Sequence, residues 1–78
     1  MVRIFTVEWD DSRNCYVARS DVPGALMLGT SNSMAVALGT ARAAAAKICH
    51  ETGATITVKL IDRSGKATIE FVHKPSAK

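Results

Sequence analysis

Residues Val2 to Trp9 read VRIFTVEW and alternate strictly, with Phe5, Val7 and Trp9 on one face and Ile4, Thr6 and Glu8 on the other. This period of two, in β-branched and aromatic residues, predicts a half-buried strand. Asp10 to Asn14 form a polar turn, and Cys15 to Ser20 alternates again, so the two runs are expected to pair as a hairpin. Asp21-Val22-Pro23-Gly24 reads as a second turn, because proline presets φ and glycine accepts backbone angles that other residues resist. A short third strand is expected over Ala25 to Leu28.

Thr30, Ser31, Asn32 and Ser33 offer N-cap side chains before a run of helix formers that reaches Glu51, and Gly53 stands where a C-cap glycine belongs. One long helix is predicted. At 100° per residue Met34, Leu38, Ala41, Ala45 and Ile48 share a stripe with Cys49 at its edge, and that stripe is expected to pack on the sheet. Two more strands follow, Thr55 to Ile61 with Ile56, Val58 and Leu60 inward, and Lys66 to Val72 with Ala67, Ile69 and Phe71 inward. Asp62-Arg63-Ser64-Gly65 joins them as a turn. The expected fold is α+β in the order β-β-β-α-β-β, an antiparallel sheet with one helix on one face. It forms a single domain over residues 1–73, followed by a frayed basic tail over 74–78.

Composition narrows this picture. Twelve of the thirty-seven apolar residues are alanine, so the core of this 78-residue chain is small. Such a chain buries only about 60% of its unfolded surface, and association is expected to supplement it. The net charge of +3 falls short of a dense nucleic-acid-binding surface, but it is unevenly spread: residues 1–31 carry net −1 and residues 32–78 net +4. Charges interrupt the first residues too often for a signal peptide, and no apolar run is long enough to span a bilayer, so a soluble cytoplasmic protein is expected. Cys15 and Cys49, without CxxC or zinc spacing, read as reduced structural thiols.

Candidate chemistry is sparse. Glu8, Asp10, Asp11 and Asp21 are the carboxylates of the first half, but adjacent acids in a turn diverge and do not converge on two cations as a metal-dependent nuclease requires. His50 and His73 have no nucleophile at triad spacing, and His50 suits the helix C-terminal dipole. No catalytic residue, metal or cofactor is expected. Lys59, Arg63, Lys66, Lys74 and Lys78 form a basic strip, yet three of the four aromatics follow inward alternation, which leaves little for base stacking. A second helix stripe of Val36, Gly39 and Ala43 lies off the core face and is expected to form a homodimer contact, because an exposed valine gains nothing from helix propensity.

The succession Trp9-Asp10-Asp11, Tyr16-Val17-Ala18, Asp21-Val22-Pro23-Gly24, Leu28-Gly29, Thr30-Ser31 and the alanine-rich run from Ala35 to Lys47 resembles, in order, the amino-terminal domain of HicB-like antitoxins. The resemblance covers about residues 2–50 and implies a partial ribonuclease-H-like fold. It also implies a non-enzymatic protein-binding role, the neutralisation of a toxin nuclease through Glu8, Asp10, Asp11 and Asp21. A β-hairpin follows the helix where family members carry a DNA-binding segment, so operator binding is not expected. The arrangement of helix and closing hairpin is also similar to small phage-encoded inhibitors, anti-CRISPR proteins among them, which implies a defence-complex subunit as an alternative partner. A small RNA-binding module is the third class.

Overall fold

A computed structural model of the chain describes residues 2–24 and 26–75. The fold is α+β, with β1 (Val2–Asp10), β2 (Cys15–Arg19), β3 (Met27–Ser31), α1 (Met34–Thr52), β4 (Thr55–Ile61) and β5 (Ala67–His73). The element order is the expected one. The strands form one sheet in the order β3-β2-β1-β4-β5.

The sheet is mixed rather than wholly antiparallel, because β1 and β4 run parallel, with Phe5 opposite Val58 and Val7 opposite Leu60. The helix dictates this. Its 19 residues extend about 28 Å, so α1 carries the chain from the Ser31 end of the sheet back to the opposite end. There β4 starts alongside the start of β1, and a strand entered through such a crossover runs parallel to its neighbour.

The third strand lies two to three residues later than its expected span of Ala25 to Leu28; Ala25 itself is outside the described residues. Gly24 at φ 85° and a hydrogen bond from Ser20 N–H to the Leu26 carbonyl, 2.8 Å, close the preceding turn, and pairing with β2 begins only at Met27 opposite Arg19. Thr30 and Ser31, read as cap candidates, therefore belong to the strand. Ser33 is the cap: its hydroxyl accepts the Val36 N–H at 3.3 Å. At the other end Gly53 adopts φ 72° and donates to the Cys49 carbonyl at 2.9 Å, the left-handed stop that glycine adopts without strain.

The buried face of α1 is Ala37, Ala41, Ala45 and Cys49, turned away from the expected Met34, which is 40% exposed; Leu38 and Ile48 are half-buried. These small side chains let the helix come close to Phe5, Val7, Ala18, Ile56 and Val58, with which they form the core. The helix is also close to Gly29 of β3, where a Cβ would stand 3.1 Å from Thr40 Cγ2.

Each edge strand carries a bulge. In β5 Phe71 pairs with Val58 but Ile69 pairs with Lys59, leaving Glu70 as an extra residue. Phe71 points inward as expected, while Thr68 takes the inward place beside Leu60. Ala67 and Ile69, expected inside, face away from the helix, and Ile69 is 61% exposed. In β3 the extra residue is Leu28, between Gly29 opposite Ala18 and Met27 opposite Arg19. His73, one residue past the expected end of the last strand at Val72, closes β5, and residues 76–78 of the expected tail lie outside the described residues.

Candidate protein-binding face of the sheet

The helix covers one face of the sheet. On the other face the alternation places Ile4, Thr6, Glu8 and Asp10 of β1 beside Thr57, Lys59 and Ile61 of β4, with Ile69 and Val72 of β5 at one side. Ile4 is 41% exposed and Val72 50%. A shallow groove of about 450 Å³ crosses this face, lined by Ile4, Thr6, Glu8, Arg19, Asp21 and Ile61.

Glu8 and Asp10 are held in a charge lattice. Arg19 Nε lies 3.3 Å from Glu8 Oε1 and its Nη2 3.6 Å from Asp10 Oδ2, while Arg13 Nε lies 3.5 Å from the same Asp10 oxygen. Arg19 stands opposite Thr6, Val17 opposite Glu8 and Cys15 opposite Asp10. A guanidinium reaching from the first of these rows to the last must pass over Val17. Val17 accordingly is fully buried although it belongs to the face without a helix, and the stem of Arg19 acts as its cover.

The remaining two acids of the sequence reading serve the backbone and a ring. Asp11 accepts the Trp9 indole N–H at 2.6 Å. Asp21 Oδ2 accepts the Ile4 N–H at 3.2 Å, just beyond the last β2 partner of β1, so its side chain prolongs the ladder. The structure thus gathers Glu8 and Asp10 around Arg19, turns Asp11 to the Trp9 indole on the helix side of β1, and leaves Asp21 at the other end of the groove. Two arginines lie beside Glu8 and Asp10, and the local charge is much smaller than the acids alone suggest.

The two turns at this end of the sheet are built alike. Asp10 Oδ1 accepts the Ser12 hydroxyl at 2.6 Å and the Ser12 N–H at 3.0 Å; Asp62 Oδ1 accepts the Ser64 hydroxyl at 2.6 Å, the Ser64 N–H at 2.9 Å and the Lys66 N–H at 3.0 Å. In both, the serine hydroxyl is the largest reason that the carboxyl is held below the ordinary aspartate range; backbone N–H groups add to it and partial desolvation opposes it. Between the turns Arg63 places its guanidinium carbon 3.9 Å from the Trp9 ring centre, and Tyr16 meets Trp9 edge-on at 5.0 Å. Sequence alternation left Tyr16 unassigned and gave no sign of Arg13, Arg19 or Arg63 as partners. Their contacts depend on strand register.

The other helix stripe is open. Val36 is 57% exposed, Ala43 is exposed, and a Cβ on Gly39 would meet nothing within 4 Å. A second hollow, of about 520 Å³, lies between the end of α1 and the end of β5, where Cys49, His50, His73 and Lys74 contribute to its wall. Among the described residues no group of three or more His, Cys, Asp or Glu is placed to hold a metal ion, and no helix is long and apolar enough to cross a membrane. Comparison with protein-family models, curated proteins and solved structures finds no match to this chain.

Proposed function

We propose that this chain is a non-enzymatic protein-binding inhibitor, a HicB-like antitoxin domain that neutralises a toxin nuclease by occupying its basic RNA-binding surface. The observation that carries the reading is the ordered presentation of Glu8, Asp10 and Asp11, each held by a named partner: Arg19, Ser12 and the Trp9 indole. Carboxylates fixed in advance lose little freedom on docking, which is where affinity is usually spent. The arginines beside them reduce the net charge, so binding depends on geometry more than on long-range steering.

The test is reconstitution with the purified product of the neighbouring gene, assayed for RNA cleavage. A stoichiometric complex and protection of RNA from cleavage are expected, with Asp11→Asn weakening both. Neither binding nor protection would overturn the reading. Binding of this protein to RNA itself, with an affinity falling steeply as salt rises, would instead make it an RNA-binding module.

A further inference from the structure

The sheet face opposite the helix lacks a cover, and the structure bears on what occupies it. Sheets made wholly of parallel strands are covered on both faces, whereas antiparallel ones can leave one face to water, and this sheet has one parallel pair among four. Here the parallel pair β1 and β4 is central, and the helix covers one side. Ile4, Ile69 and Val72 remain exposed on the other side, and Ile69 is there because of the bulge at Glu70.

We propose that this face is the contact between two copies of the chain, packed sheet on sheet about a two-fold axis. Charge favours a second copy. The face carries Glu8, Asp10 and the groove residue Asp21 together with Arg19, Lys59 and the Arg13 that meets Asp10, three acids against three bases, whereas the chain as a whole carries +3. Two copies repel each other least where each is neutral. Arg19 lies 3.3 Å from Glu8 and 3.6 Å from Asp10, so both acids enter the contact beside a cation whose buried Nε still has no hydrogen-bond partner. Lys59 of β4 is separated from the β1 acids by one strand spacing, and a two-fold operation sets it toward the acids of the other copy.

Area is sufficient. Five strands of five to nine residues at their usual spacing present a footprint of about 500 Å². Side-chain relief raises the accessible area toward the ~800 Å² per partner of a standard stable interface. The edges are poorer routes, because both edge strands are bulged, a feature that blunts strand addition. The outer helix stripe is also poorer: of Val36, Gly39 and Ala43 only the valine brings a sizeable apolar side chain. The proposal does not rest on the inhibitor reading, and because both contacts use Glu8 and Asp10, a bound nuclease and the second copy exclude each other on this face. Self-association is measured on the isolated protein.

Sedimentation of the full chain is expected to give twice the 8.3 kDa chain mass at about 100 μM. Ile69→Lys and Val72→Lys, each at an exposed position, are expected to weaken the dimer by about tenfold or more by placing an unpaired charge in the contact. Val36→Lys on the outer helix is expected to leave it intact. Circular dichroism identifies any variant that fails to fold. If both sheet variants do so, cross-linking of Lys59 to Glu8 between copies of wild-type protein decides, and its absence overturns the proposal. A wild-type monomer at that concentration, or dimers lost through Val36→Lys and kept through Ile69→Lys, would also overturn it.

Discussion

The guanidinium of Arg63 lies over the indole of Trp9, 3.9 Å from carbon to ring centre. The two residues belong to different hairpins. Their contact fastens the turn between β4 and β5 to the end of β1, while the other sides of the indole are engaged by Tyr16 and by Asp11. Of this cluster Tyr16 packs against the core.

Removing this cation is expected to cost about 0.5–1 kcal/mol, the usual worth of a cation–π contact that water still reaches. Trp9 is the chain's single tryptophan, so its fluorescence reports the site directly. Arg63→Ala should shift its emission to the red and lower the urea midpoint, and Arg63→Lys should recover part of both changes.

Arg19 is expected to matter more for its stem than for its charge. Exposed ion pairs contribute at most about 1 kcal/mol and often nothing, whereas uncovering part of a buried valine costs about 1 kcal/mol. Arg19→Met should therefore stay within about 0.5 kcal/mol of wild type, and Arg19→Ala should lose about 1 kcal/mol more. Urea denaturation of the pair measures the difference, and equal losses would show that the charge dominates.

Asp10 and Asp62 give the fold an acid limb. Both carboxyls are depressed in the folded chain, first by the hydroxyls of Ser12 and Ser64. Each therefore stabilises the fold fully above the unfolded aspartate value of about 3.9, and that contribution is lost as pH falls through the lower folded value. Stability should be level from pH 7 to about pH 5 and fall below about pH 4. The gap between wild type and the Asp10→Asn, Asp62→Asn double variant should close over the same acid range.

Ala45 is fully buried on the helix face that meets the sheet. Replacing it by leucine forces the two layers apart and is expected to cost about 1–3 kcal/mol. Ala43→Leu, on the exposed side of the same helix, should be tolerated, and a thermal melt of each variant tests the contrast.

The strands and the helix were legible because their signals are local: alternation in VRIFTVEW, the Ser33 cap, Gly53 at the stop. The helix phase was harder to read. Alanines at 35, 37, 41 and 43–46 give too little contrast between faces to separate a core centred on Met34 from one centred on Ala37. The inward set of β5 was misread because one extra residue, Glu70, resets a period of two, and nothing in TIEFVH marks it. The acids of the candidate site could be picked out individually. Their arginine partners could not, since Arg19 reaches Glu8 only through the pairing that sets it opposite Thr6.

The bulge in β5 has a consequence for insertions and deletions. Because Glu70 is the surplus residue, a chain lacking it would keep Phe71 opposite Val58 and Ile69 opposite Lys59, with every side chain on its present face. Loss of either neighbour would instead force the strand to reuse Glu70 in the ladder. A relative of this protein with a one-residue gap at position 70 would therefore share its fold and its surface. It would also carry a straight outer strand, the flat template on which chains stack into fibrils. The extra glutamate is a spacer that keeps the edge of the sheet closed to such growth.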